Sequence, residues 1–386
     1  MKKYKFILIA IFVLANAVFL QQNVFALESE NHIAEYNKVS AELEKNREEF
    51  LDKGASDLSV PNGDNLFWIT YKRAKAKLHR YNPVTDEEIK YKFSIGSMDY
   101  YNYRANDKII VTAKPEGKHV SYYVYAADHK KKKIDTLNLP APGAGTKWHA
   151  YAVAKNNLYF IKSKFEKDED GDLTIDYILS KWVPGSGEEH KEIISLLEAG
   201  ADDMGTFQDF DIFGDDMLFI ESGRLWKLDL KTKKAIWLKN KQQIRGGVNF
   251  TADKVLYTYF RKDLIFYKYD SKEIRNISDE IRKNEFSLNP TFKNNHYYWG
   301  DAVLYKNFAV YKGNGGIYAY DLEKRKIHPL LYEPRLTDNK RVTYRSPVVV
   351  NNGIMFVKAL VSNSGSIGFD GPVYKVSIKK LLQQSD

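Results

Sequence analysis

No cysteine occurs anywhere in the 386 residues. Disulfides, thiolate-held zinc, thiol redox chemistry and cysteine nucleophiles are therefore all excluded. Histidine is scarce too. The eight are scattered at positions 32, 79, 119, 129, 149, 190, 296 and 328, with no HExxH pair to seat a catalytic metal. There is no GxSxG elbow and no P-loop. After the first 20 residues no apolar run is long enough to cross a bilayer as a helix, which takes about 20 residues. A chain of this length can bury a sizeable core without staples.

The start of the chain reads as an export signal. Lys2, Lys3 and Lys5 precede the apolar run 6–20, and Val24-Phe25-Ala26 presents a peptidase site. We expect residues 1–26 to be a signal peptide, residues 27–55 an N-terminal helical segment, and residues 56–386 the folded domain, periplasmic or extracellular. No cysteine follows the apolar run to take a lipid. No transmembrane anchor should remain after cleavage. Of the formal net charge of +9, residues 27–55 contribute eight acids against four bases, so the rest of the mature chain is strongly basic. Anionic envelope polymers are natural partners for such a surface. Nucleic acid is not expected, since no recognition motif is present.

What is abundant is aromatic residues: 27 Tyr, 21 Phe and 6 Trp. They recur in one repeated pattern, an alternating strand, a tight polar turn and a second strand, seen at 77–93, 121–137, 224–239, 264–277 and 316–331. A hairpin cannot bury its own apolar face, so repeated hairpins pack on one another. Units start near residues 65, 98, 148, 207, 247, 291 and 345, a mean period between 40 and 50 residues, the size of a four-stranded propeller blade. The fold class is therefore all-β: a β-propeller of about seven four-stranded antiparallel blades preceded by one N-terminal α-helix. Ser56–Val60 is the expected strand to complete the ring. The segment Asn31–Lys53 lacks Pro and Gly and spaces Ile33, Tyr36, Leu43 and Phe50 as one helical stripe. It is expected to be a helix lying on the propeller and dispensable for its folding.

The unit Asp229, Thr232, Lys234 and Trp237, with Lys233 where Gly is usual, resembles the repeat of the pyrroloquinoline-quinone-type propeller superfamily. A looser echo lies in Asn82, Thr85, Ile89 and Tyr91, and the turn alone in Asp321, Lys326 and Ile327. That superfamily includes quinoprotein dehydrogenases and the envelope propellers of outer-membrane protein assembly, and Tol-type propellers are similar. The resemblance implies the fold, with the Asp capping the turn and Trp237 docking on the next blade. It carries no cofactor site.

Two constellations remain. Asp168, Asp170, Asp172 and Asp176 alternate around Gly171 like a calcium loop, but Leu179 stands where the distal acidic ligand belongs. An acidic hairpin tip is the favoured reading of them, with calcium the alternative. Tyr101, Trp148, His149, Asp209, Asp211, His296, Tyr298 and Arg345 fall on or beside predicted innermost strands, where propeller ligands bind. Arg73, Lys75, Lys77 and His79 form a basic stripe, and Lys130–Lys133 a basic turn; both read as solvated faces that keep sheet edges unpaired. The functional expectation is a monomeric, exported, non-catalytic scaffold for protein or anionic polymer, with no cofactor. The alternative is an enzyme or small-ligand binder, for carbohydrate or quinone, working at the channel mouth.

Overall fold

The computed structural model describes residues 37–51, 55–59, 64–72, 75–97, 103–142, 149–167, 173–201, 205–238, 243–259, 263–282, 302–333, 340–363 and 369–383, apart from residues 245, 314 and 346. Seven antiparallel sheets follow one another along the chain. After a helix at residues 37–44 (α1) comes strand β1 (Arg47–Leu51). Blade 1 is β2 (Ala55–Ser59), β3 (Leu66–Lys72), β4 (Lys75–Asn82) and β5 (Glu87–Ser97). Blade 2 is β6 (Tyr103–Ala105), β7 (Ile109–Glu116), β8 (His119–Ala126) and β9 (Lys133–Pro140). Blade 3 is β10 (Tyr151–Ala154), β11 (Asn157–Lys167), β12 (Leu173–Trp182) and β13 (Lys191–Ser195). Blade 4 is β14 (Phe207–Phe213), β15 (Asp216–Glu221), β16 (Arg224–Asp229) and β17 (Lys234–Trp237). Blade 5 is β18 (Val248–Phe250), β19 (Lys254–Tyr259), β20 (Asp263–Lys268) and β21 (Glu273–Asn276), followed by a helical turn at 278–282 (α2). Blade 6 is β22 (Val303–Tyr305), β23 (Phe308–Gly313), β24 (Gly316–Asp321) and β25 (Ile327–Tyr332). Blade 7 is β26 (Lys340–Tyr344), β27 (Val348–Val349), β28 (Ile354–Asn363) and β29 (Phe369–Ser377), with α3 (Ile378–Gln383) after it.

Ring closure departs from the sequence expectation in two places. Within that stretch, residues 56–59 do not close the ring; as part of β2 they pair with β3 and supply the inner strand of blade 1, and residue 60 lies outside the described residues. Closure comes from within the segment expected to be helical. The helix ends at residue 44, Asn46 N–H donates to the Leu43 carbonyl at 3.0 Å, and the chain straightens into β1. β1 pairs antiparallel with β29, placing Arg47 opposite Val376 and Leu51 opposite Val373. The Glu, Lys and Arg of this stretch favour helix only weakly, by tenths of a kcal/mol each. Leaving the long edge of β29 unpaired costs more, so tertiary pairing overrides propensity. α1 does lie on the propeller, with Leu43 buried among Ile277, Ile281, Leu322 and Tyr332 at blades 5 and 6.

The aromatic surplus goes between the blades. Trp68, Tyr122, Tyr257, Tyr267, Tyr311, Tyr318 and Phe160 are fully buried. Such rings fill the wedge between neighbouring twisted sheets. The repeated turn has a common build. Asn82, Asp229 and Asp321 each accept two main-chain N–H groups through one side-chain oxygen. Four residues on, Asp86, Lys233 and Arg325 hold φ of +57°, +58° and +56°. This left-handed position is where the superfamily repeat has Gly, which adopts it without strain. Trp237 corrects an expectation: it is 43% exposed, under the Arg224 guanidinium, while Trp226 opposite it is the buried one. Among the described residues, no helix is long and apolar enough to cross a membrane.

Candidate functional site

The innermost strands converge on a central channel of about 600 Å³, lined by β6, β10, β14, β18, β22 and β27 from six blades. Val153, Val248, Phe250, Val303 and Val348 are among its lining residues, though polar atoms make up more of its exposed wall than apolar ones. Among the described residues three charged side chains line it: Arg104 from blade 2, and Asp209 and Asp211 from blade 4. The aspartates share a face because strand side chains repeat every two residues. Arg104 lies 3.9 Å from the Asp209 carboxylate and stacks its guanidinium 5.7 Å from the Tyr151 ring.

Confinement sets the electrostatics. Water reaches Asp209, whose side chain is 52% exposed. That water is enclosed by the channel walls and solvates charge less well than bulk. Burial raises the Asp209 pKa, against Arg104 and the Phe210 N–H. Asp211 is pushed up to about 6 by burial, with Asp209 adding repulsion and the Ile212 N–H opposing. A carboxyl with a raised folded-state pKa contributes stability below its unfolded pKa, and that contribution is lost as pH rises through the folded value. Asp211→Asn should therefore stabilise the protein at pH 7.5 by about 1 kcal/mol, discounted for the channel water. The gain should disappear near pH 4. Urea unfolding at both pH values checks this, and a gain equal at both would remove ionisation as the cause.

The other sequence candidates fall elsewhere. His149 was expected at the channel, but its ring is buried between blades 2 and 3. The His149 main-chain N–H donates to the Tyr122 hydroxyl at 3.1 Å, and that hydroxyl lies 3.0 Å from the ring Nδ1. With its oxygen accepting the N–H, Tyr122 has its proton free to donate to a neutral imidazole. Burial, with Lys162 nearby, lowers the His149 pKa to about 4. Arg345 is exposed just past β26, its N–H on the Lys358 carbonyl, and is not among the channel-lining residues. Tyr101, Trp148, His296 and Tyr298 lie outside the described residues, as do Asp168, Asp170 and Asp172. Asp176 sits in the β11–β12 ladder opposite Lys164 rather than in a loop. Arg104, missed in the sequence, lies on the three-residue strand that opens the second unit.

A second feature lies on the outer side, where blade 1 meets blade 2. The Arg80 guanidinium and the Tyr91 hydroxyl both donate to the Ala127 carbonyl, at 2.9 and 2.5 Å. The Lys92 N–H donates to the Lys130 carbonyl at 2.7 Å. These bonds fasten the β8–β9 turn to β4 and β5. They bring Lys77, Lys90 and Lys92 beside Lys130, Lys131 and Lys132, around adjoining hollows of about 620 and 360 Å³ that share Lys92.

No protein family and no curated protein matches the chain. Solved structures do. BamB from Moraxella catarrhalis is 9% identical, covering 83% of this chain and 84% of its own, with a TM-score of 0.42. The likeness is one of fold. The computationally designed protein Ika8 is 10% identical over 86% of this chain and 98% of its own, with a TM-score of 0.42. The acylaminoacyl peptidase of Pyrococcus horikoshii is 11% identical over 80% of this chain, with a TM-score of 0.48. That match spans half of the peptidase. All three TM-scores lie below 0.5, and these likenesses assign no activity to the chain.

Proposed function

We propose that this chain is an exported, non-catalytic propeller that serves as a binding platform for protein or anionic polymer outside the cytoplasm. The observation that carries the reading is the division of polar groups in the described core. The His149 imidazole is sealed against Tyr122 and held neutral. The channel keeps Arg104, Asp209 and Asp211. An arginine beside two carboxylates recognises charge, and neither histidine nor lysine joins it among the described lining residues. The basic start and the apolar run 6–20 support export, with cleavage after Ala26.

In vivo crosslinking followed by pull-down of the exported protein tests the reading. A macromolecular adduct should form, and it should persist in the Asp209→Asn, Asp211→Asn double variant. Loss of the adduct in that variant, with turnover of a small molecule lost in parallel, would replace the platform by a channel enzyme. A second reading, a small-ligand site in the channel, is favoured by the protonatable Asp211 in a cavity of about 600 Å³. The acidic stretch 168–176 is proposed to take no calcium. Millimolar calcium should leave the melting temperature unchanged, whereas a site filled at 100-fold its Kd would add about 2.7 kcal/mol.

A further inference from the structure

The structure assigns the groove between blades 1 and 2 as a docking site for a linear phosphodiester polymer. This rests on the binding-platform reading and names the chemistry of its partner. The sequence holds two basic stretches some fifty residues apart, each unremarkable as a solvated face. The fold joins them. Lys90 and Lys92 lie on one face of β5 about 7 Å apart. The turn bearing Lys130, Lys131 and Lys132 is tied to the same strand through the Lys92–Lys130 main-chain bond. All these lysines are exposed, as is Lys77 on β4.

Local acids leave most of this charge uncompensated. Glu88 is occupied by His79 at 3.2 Å and Lys90 at 3.6 Å, and Asp128 lies 3.8 Å from His129. Among the described residues, no ion pair engages Lys92, Lys130, Lys131 or Lys132. The main-chain and Tyr91 bonds fix the turn before any ligand arrives, so less ordering is needed on binding.

The chemistry of the groove selects among polyanions. Its exposed cations are lysines, compact charges that suit phosphate oxygens on a flexible chain. The arginine at this seam, Arg80, is committed to the Ala127 carbonyl. A nucleic acid would look for exposed aromatic faces on which to stack its bases. Here Phe93 is stacked on Tyr125, centroids 3.7 Å apart, and Tyr91 is buried with its hydroxyl bonded to Ala127. Tyr71, which also lines the groove, is half-buried against the same core, so most of the ring surface is spent on holding the blades together. What is left is a rigid row of point charges, matched to a polymer that offers charge without bases.

The test measures binding of the full mature chain to purified poly(glycerol phosphate), with single-stranded DNA and polyglutamate of equal charge number as comparators. Poly(glycerol phosphate) should bind, with affinity falling as salt rises. Lys92→Ala, Lys130→Ala, Lys131→Ala together should weaken binding at least tenfold at low salt. It should also make the slope of log affinity against log salt shallower by about 2, on a value of roughly 0.7 per lost contact. A control removing equal charge elsewhere, Lys231→Ala, Lys234→Ala, Lys268→Ala, should bind as the parent. Equal loss in both triple variants would show that net charge alone drives binding and would overturn the groove. Tenfold tighter binding of DNA, or equal binding of polyglutamate, would overturn the phosphodiester assignment. Lysine-labelling footprints report on the folded parent directly: protection by the polymer should centre on Lys90, Lys92 and Lys130–Lys132. Failure here with an intact crosslinked partner would sink the groove and leave the platform standing.

Discussion

A chain beginning at residue 52 should lose cooperative folding at the temperature where the full chain is native. β1 is the outer strand of blade 7, and nothing else in the described chain pairs with that side of β29. Its side chains also bridge the seam between the last blade and the first. Phe50 packs on Trp68 and Tyr81 of blade 1 and on Phe356 of blade 7, with ring centroids 5.7, 4.6 and 5.2 Å away. Arg47 donates to the Tyr344 hydroxyl at 3.1 Å and sits 4.3 Å over the Tyr374 ring. Phe50→Ala alone should cost about 2–3 kcal/mol, since the ring is only partly buried. Losing the whole strand, ladder bonds included, should cost at least about 5 kcal/mol. The freed edge of β29 should then drive self-association. Thermal unfolding of both variants gives the magnitudes. Adding a peptide of residues 37–51 should restore the transition by strand addition. A truncated chain that melts like the full one would show that the ring does not depend on β1.

That expectation reverses the one the sequence suggests, and the reason is physical. Residues 31–53 carry strong helix formers, and Leu43 and Phe50 are seven apart, which fits one helical face. The same spacing fits a helix that stops at residue 44 and a strand anchored on the core through Phe50 and Leu51. Only the open edge of β29, three hundred residues away, decides between them. The repeat itself was legible because its signal is local. Asn82, Asp229 and Asp321 mark turns that form wherever the chain is read, and strand alternation marks the blades. The channel aspartates were legible because Asp209 and Asp211 sit two apart on an inner strand. His149 was not: it lies just before β10, where the chain has yet to enter the channel wall, and its ring turns to Tyr122. The lysine groove was illegible for a different reason. Its two halves belong to different blades, and only the inter-blade bonds at Ala127 and Lys130 bring them together.

Arg275→Ala should be the most damaging single change at the seam between blades 5 and 6. Arg275 ends up 12% exposed at the outer edge of blade 5 and reaches across to blade 6. Its guanidinium donates to the Leu322 carbonyl at 2.6 Å and to the Tyr320 hydroxyl at 3.0 Å, and it pairs with Glu280 of α2 at 3.3 Å. Tyr320 in turn donates to Glu280, and burial with that carboxylate beside it drives the phenol pKa upward. Removing the cation leaves a carbonyl without its donor and a partly buried carboxylate without its counter-charge. Breaking such a pair from one side costs more than the pair contributes as a whole, because the abandoned group stays desolvated. The expected loss is about 2–4 kcal/mol, a fall in melting temperature of roughly 5 °C or more. Arg275→Lys should recover less than half, since one ammonium cannot span both acceptors and the carboxylate in the same geometry. Tyr320→Phe combined with Arg275→Ala should cost less than the two changes summed, by about 1 kcal/mol or more, because both act through Glu280. Additive losses would mean that the three side chains are neighbours without being a unit. A loss below about 0.5 kcal/mol for Arg275→Ala, typical of an exposed surface residue, would show that aromatic packing alone holds blades 5 and 6 together.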